Sequence, residues 1–351
     1  MAINAQASGG HIATADTALY FGPYVFGTPT ITGGAPAGGN YVDVYGSSRI
    51  FSQTLTSTNK TFLWFAQRFG WVTQGYPPYW TFFDEAGIAQ CSLVMDTAGK
   101  MTFYLRTYSI DWSYGMAAHY TVIASTASIG PAASWYSLEG EITIHDTTGA
   151  FKLWVNGVLL LNLSNIDTKN AYASAYVYGL ANAQGYFADL AIGDNASPNA
   201  ARIGESRVDC MLPNANGTDR ASGGATEMTR STGADDYTLL DETAASAGTS
   251  DYVYSDAVGE RCSVNVAALT NAGGTIVGVQ ATAYATKNEA GPCGFKLYCL
   301  RGGTRYYSGE FFPSFGSWGF FRYVWDQDPS TSAAWTESNF NAAEFGVERT
   351  T

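Results

Sequence analysis

The sequence predicts an all-β protein built as two consecutive antiparallel β-sandwich domains with one short C-terminal helix. Three observations predict it. At 351 residues the chain exceeds what one hydrophobic core usually serves, so two domains are expected. Only 14% of residues are charged against 46% hydrophobic and 15% aromatic, and 39 glycines supply turns. The 23 Tyr, 19 Phe and 9 Trp sit mostly among Val, Thr and Ser, neighbours that suit a pleated, half-buried surface better than a helix.

The elements follow in order. Segments 61–69, 80–83, 89–96 and 100–106 read as strands separated by Gly, Pro or Asp-rich turns. In 135–146 the even positions Tyr136, Leu138, Ile142 and Ile144 are apolar, while Glu139, Glu141, Thr143 and His145 face the other way, as in a half-buried antiparallel strand. A turn at 147–149 leads into strand 151–155. Asn156-Gly157 then supplies the two φ > 0 residues of a type I′ hairpin before strand 158–163. The first core is expected to take Tyr136, Leu138, Ile142, Ile144, one of Leu153 and Trp154, and one of Leu159 and Leu161, because a one-residue slip after a turn inverts every side chain.

The first domain is expected to close with strand 186–192, and Gly193–Ala200 (GDNASPNA) holds nothing apolar to bury. The predicted division is a first domain over 1–196, a linker over 197–204 and a second domain over 205–351. The second domain opens at 205–212 and passes through polar loops at 213–233 and 242–250. Its strands are expected near 261–266, 274–287, 294–300, 304–307 and 318–325. Thr336 is placed to cap a helix over 337–343, with Glu337 in its first turn.

The segment 135–157 (WYSLEGEITIHDTTGAFKLWVNG) resembles the core hairpins of laminin-G-like, concanavalin A-like jelly rolls common in virion proteins of tailed bacteriophages. Further segments resemble the second half of the same two-part proteins: IGESRV from Ile203, LLDET from Leu239, DYV from Asp251, DPST from Asp328, AWT from Ala334 and FGV from Phe345. The resemblance covers most of 51–347 with domain order preserved; the first fifty residues match least. A single Asp189 stands where relatives often carry paired acidic residues before the linker. The resemblance implies a virion structural component that contacts other capsid or tail subunits as a homo-oligomer. External head decoration is placed ahead of a tail or fibre adhesin binding host glycans.

Charge bears on partners. With 18 Lys plus Arg against 30 Asp plus Glu, the net charge is -12 and no basic run tracks a phosphate backbone, so no nucleic acid partner is expected. An acidic chain is also repelled by anionic lipid. The N-terminus has neither a basic nor an apolar leader region, and no stretch approaches the roughly 18 apolar residues of a membrane span. No membrane partner is expected, and the chain is expected to be made in the cytosol and kept there or released by lysis. Cys91, Cys210, Cys262, Cys293 and Cys299 are odd in number, carry no CxxC-type metal spacing, and read as small core residues.

Candidate chemistry is sparse. Jelly-roll glucanases place carboxylates on one strand, and Glu139 and Glu141 share a face roughly 7 Å apart. The third acid is missing, with Thr143, Ile144 and His145 in its place, and carboxylates on a wet face serve solubility. The isolated His11, His119 and His145 accompany no nucleophile-elbow, P-loop or GxGxxG pattern, so neither an enzyme nor a cofactor is expected. The aromatic run 71–80 (WVTQGYPPYW) is the main binding candidate. Its rings Trp71, Tyr76, Tyr79 and Trp80 either stack on sugars or a neighbouring subunit, or alternate into a strand core. Asp84, Asp96, Asp167 and Asp189 lie near loop ends as possible calcium ligands without EF-hand spacing, which leaves the metal content unknown.

Overall fold

The computed structural model describes residues 5–7, 25–26, 30–33, 40–44, 49–51, 62–71, 79–84, 88–106, 120–130, 134–177, 179–183, 185–193, 202–204, 208–209, 211–219, 227–232, 235–240, 251–269 and 274–351. The chain divides into two compact units, Met1–Asp209 and Cys210–Thr351.

The described strands of the first unit are β1 (Ala5–Ala7), β2 (Val25–Phe26), β3 (Thr30–Gly33), β4 (Asn40–Val44), β5 (Arg49–Phe51), β6 (Phe62–Trp71), β7 (Tyr79–Phe83) and β8 (Ala89–Met95). They continue with β9 (Lys100–Arg106), β10 (Tyr120–Ser128), β11 (Ser134–Thr143), β12 (Gly149–Val155), β13 (Val158–Ile166), β14 (Gly179–Ala183) and β15 (Gly185–Gly193). One sheet runs β13-β12-β11-β6-β15-β4-β3 with β1 added against β15, and the other runs β10-β9-β8-β7-β14-β5-β2. Every strand pairing in both sheets is antiparallel. Neighbours in space are often distant in sequence, as in β6 between β11 and β15, which is a jelly-roll-like sandwich rather than a simple meander.

The alternation in β11 places Tyr136, Leu138 and Ile142 in the core, with Ile144 just beyond the strand. Gly140 occupies the same face. A Cβ there would lie 2.4 Å from the Phe65 ring, so the missing side chain is the space that this ring fills. Of the paired options, Leu153 and Leu161 turn inward, while Trp154 is half-buried and Leu159 is exposed. Asn156 (φ 48°) and Gly157 (φ 79°) both adopt the left-handed backbone that a type I′ turn requires. Between the sheets Phe151 stacks on Phe103 at 3.9 Å and Trp80 meets Phe69 and Phe187 edge-on. Each such buried ring stabilises the fold by about 1.5–3 kcal/mol relative to exposure.

The second unit contains β16 (Pro213–Asn216), β17 (Thr229–Arg230), β18 (Val253–Tyr254), β19 (Arg261–Val266), β20 (Val279–Ala285), β21 (Phe295–Arg301), β22 (Thr304–Tyr307), β23 (Gly319–Trp325), the helix α1 (Glu337–Asn341) and β24 (Glu344–Arg349). A five-stranded antiparallel sheet, β16-β19-β24-β21-β22, and the two-stranded ribbon β20-β23 enclose a core with Val279, Leu297, Cys299, Trp325, Trp335 and Phe340. Thr336 caps α1 through Asn339 N–H (3.1 Å), as its sequence position predicts.

Two expectations are corrected here. Pro213–Asn216, read as loop, is an edge strand; its Pro sits at the strand's first residue, where a missing N–H does least harm. Glu344–Arg349, where the sequence pattern predicts no strand, forms β24 between β19 and β21. Its side chains are all half-buried, so it lacks the clear alternation that marks β11. Gly346 sits on it where a Cβ would meet the Tyr298 ring at 2.3 Å. Cys91, Cys262 and Cys299 are buried and reduced, Cys293 is half-buried outside β21, and Cys210 lies outside the described residues.

Candidate functional site

Among the described residues of the first unit, the strongest binding geometry is the loop 167–177 between β13 and β14. It is irregular, yet several of its backbone groups are bonded by buried side chains from distant strands. Thr168 enters first: its hydroxyl donates to Thr143 O (2.7 Å) and accepts from His145 N–H (2.9 Å). That approach needs Gly149, where a Cβ would lie 2.2 Å from the Thr168 hydroxyl oxygen.

Three fully buried polar side chains fix the remainder. Gln90 on β8 accepts from Asn170 N–H (2.9 Å) and donates to Ser174 O (2.7 Å) and Tyr176 O (2.8 Å). Asn170 donates to Ala89 O (2.7 Å) and accepts from Tyr172 N–H (3.0 Å). Asp84, at the end of β7, accepts from Ser174 N–H (2.9 Å) and Ile88 N–H (2.8 Å). Ala173 and Val177 anchor the loop in the apolar interior. What this scaffold presents outward is Tyr172, 60% exposed, and Tyr176, 41% exposed. Ser174 Oγ, between them in sequence, is buried with no hydrogen-bond partner among the described residues. A rigid loop carrying exposed tyrosines suits stacking on a flat apolar ring face, with phenolic hydroxyls able to bond polar substituents.

The candidates from the sequence fare differently. Trp80 is corrected: at 0% exposure, packed between Phe69 and Phe187, it is a core residue and has no face for a ligand. The side chains of Trp71 and Tyr79 and the whole of Tyr76 lie outside the described residues. Glu139, expected on a wet face, is buried. Arg202 reaches it (2.9 Å), Gly204 N–H donates to its other oxygen (2.7 Å), and the same guanidinium bonds Gly157 O and lies over the Trp154 ring at 5.5 Å. Residues 202–204, within the stretch read as linker, therefore cover this part of the first sandwich. Glu141 pairs with Lys152 across the strand (3.0 Å). Neither carboxylate is free of a cation.

The four loop-end aspartates serve backbone geometry. Asp84 acts as above, Asp96 accepts from Ala98 and Lys100, Asp167 accepts from Lys169, and Asp189, at a left-handed bulge in β15, accepts from Val208. Among the described residues no three His, Cys, Asp or Glu side chains group as a metal site, and no helix is long and apolar enough to cross a membrane.

The second unit holds a column of rings on its ribbon, Phe320–Tyr284–Trp318, stacked at 4.4 and 5.1 Å. Arg322 lies over Phe320 at 5.9 Å and Tyr252 meets Trp318 edge-on. Its ring faces are turned to one another, so the column offers edges rather than a stacking platform. Deeper in this unit Asp219 receives both Arg305 and Arg261, with Tyr298 OH donating to its carbonyl. Burial pulls the Asp219 carboxyl upward, but the two guanidiniums outweigh it and hold it below the usual carboxylate value. Burial also pushes the Cys299 thiol up to about 12 and raises Cys262, beside Asp236, beyond that. These are inert structural thiols.

The fold and site thus define a jelly-roll-like antiparallel sandwich with a preformed tyrosine loop, joined to a smaller all-β unit. No family model matches the chain, and no curated protein matches it, so the likeness to phage virion proteins finds no support there. Among solved structures it is similar to the alginate lyase Aly36B in complex with alginate trisaccharide, at 12% identity and TM-score 0.35 over 55% of this chain and 98% of that one. It is also similar to the carbohydrate-binding module CBM66 from Bacillus subtilis (12%, TM-score 0.29, 46% and 88%) and to the galectin LEC-6 of Caenorhabditis elegans (9%, TM-score 0.28, 48% and 94%). All three scores fall below one half, so the fold assignment rests on the two sheets themselves.

Proposed function

We propose that this chain is a non-catalytic carbohydrate-binding protein whose first unit engages sugar rings through Tyr172 and Tyr176. The observation that supports the reading is the exposure of both rings on a loop whose backbone is held by the buried Asp84, Gln90 and Asn170. A loop ordered before binding loses little conformational freedom on binding, which favours affinity from few contacts. The non-catalytic part rests on Glu139 and Glu141, each bonded to a cation rather than facing one another across an open cleft.

A glycan array followed by calorimetric titration with the best responder tests the reading. Tyr172→Ala should weaken binding about tenfold, the loss of one stacking contact, with the circular dichroism unchanged. An array with no responder, or affinity indifferent to Tyr172→Ala and Tyr176→Ala together, would refute it.

A second reading gives the chain its place: a structural component of a tailed-phage particle, decorating the head or carried on the tail, where it presents the loop to host glycans. Its support is the ordered likeness running from 135–157 to Val347. Mass spectrometry of gradient-purified particles should find the chain at a copy number that matches the symmetry of shell or tail. Its confinement to the lysate would remove this reading and leave the glycan proposal standing.

A further inference from the structure

We propose that one side of the first unit, formed by the edge strands β13 and β10, is a self-association surface whose occupant is a second copy of this chain. Among the described residues β13 pairs only with β12 and β10 only with β9, and the two strands lie against each other across the sandwich. An edge strand carries backbone N–H and C=O groups able to extend the sheet, and monomeric proteins block this with charge, proline or a cover. Neither Val158–Ile166 nor Tyr120–Ser128 contains an Asp, Glu, Lys, Arg, His or Pro.

Three further features favour a second copy. Val122, Val158 and Leu159 are 59%, 60% and 44% exposed, so an apolar rim accompanies the open edges. The chain carries a net charge of -12, which keeps copies apart except where the surface holds no charge, as on these two strands. The pairing register also leaves Leu160 and Asn165 as extra residues on β13, which confine regular pairing to 161–164. An antiparallel strand of the same sequence complements that short segment about a twofold axis, and such isologous contact closes at two copies instead of growing into a fibre. A twofold passing at Asn162, an exposed residue of that segment, sets it opposite Asn162 of the second copy.

Sedimentation of the full chain across micromolar concentrations should show a monomer–dimer equilibrium. Asn162→Lys and Asn162→Glu should each weaken it up to about fivefold, by placing like charges across the twofold. An equimolar mixture of the two variants should recover a heterodimer, a result that neither misfolding nor general stickiness produces. Thermal melts of each variant alone establish that the sandwich is intact. A wild-type monomer throughout, a dimer indifferent to both charges, or a mixture that fails to recover association would overturn the proposal. So would saturable pairing of β13 with an unrelated extended peptide by a monomeric chain. Sedimentation involves no sugar, so this result and the glycan result are separable.

Discussion

Gln90→Met tests whether the tyrosine loop is held from below, because it keeps the shape of the side chain and removes its hydrogen bonds. Three backbone groups lose their partner: Asn170 N–H, Ser174 C=O and Tyr176 C=O. A buried group left unpaired costs about 1–3 kcal/mol. The amide lies in a fully buried contact and is assigned the upper part of that range. The two carbonyls are in partly buried contacts that water can reach on small displacement, and each is assigned less than about 1 kcal/mol. The expected loss is therefore about 2–5 kcal/mol, which for a unit of this size lowers the melting temperature by roughly 4–20 °C. Local opening should exceed global loss. In hydrogen exchange, the amides of Asn170, Tyr172 and Ser174 should lose protection before those of β11, and glycan affinity should fall although neither tyrosine is altered. Unchanged stability together with unchanged exchange at Asn170 would refute the argument that buried polar side chains order this loop.

Gly157→Val should destabilise the first unit by about 1 kcal/mol or more, because a β-branched residue resists the left-handed backbone there; urea unfolding at equal stability would contradict the turn geometry. Glu139→Gln with Glu141→Gln should leave no glycan-cleaving activity to lose. Reducing-end assays on bacterial polysaccharides check this, and cleavage by the wild type that either substitution abolishes would overturn the non-catalytic reading. Stability of the second unit should fall in acid. With its folded pKa below the usual 3.8, Asp219 contributes stability fully above that value, and the contribution disappears as pH falls through the lower folded one. Urea midpoints measured from neutral pH down to about pH 2 should show this decline, and a flat profile would mean that the Arg305 and Arg261 contacts do not favour the ionised form.

The sandwich was legible wherever alternation was clean. The core face of β11 could be read because apolar residues alternate from Tyr136 to Ile142, and Gly140 among them leaves space that Phe65 from the adjacent strand fills. The Asn156-Gly157 turn was legible because few other dipeptides adopt two consecutive positive φ values. Strands that deviate from alternation were harder. β24 is half-buried along its whole length, and β10 carries register shifts near Ala124 and between Ser125 and Ser128, so neither shows a sustained period of two. Glu139 was legible as an outward residue but not as a buried one, since Arg202 and Gly204, which cover it, lie more than sixty positions downstream.

The candidate site shows a deeper reason for the same gap. From Ala171 to Tyr176 the residues alternate as Ala-Tyr-Ala-Ser-Ala-Tyr, a period of two that on its own points to a strand. What prevents a strand is the destination of the backbone groups: Ser174 N–H and O and Tyr176 O are taken by Asp84 and Gln90, about eighty to ninety residues earlier in the chain. With those groups bound to side chains in the interior, they are not available to a neighbouring strand. The residues that decide the matter, Asp84 and Gln90, look in sequence like a turn acid and a polar position on a strand. A polar residue buried for the sake of a distant loop leaves no local signature, because its cost is offset only once the fold has brought the loop to it. Burial in this loop no longer follows the period of two: Ala173 is buried and Ser174 half-buried, while Ala171, Tyr172, Ala175 and Tyr176 are exposed, which leaves two exposed rings four positions apart on a backbone held from below.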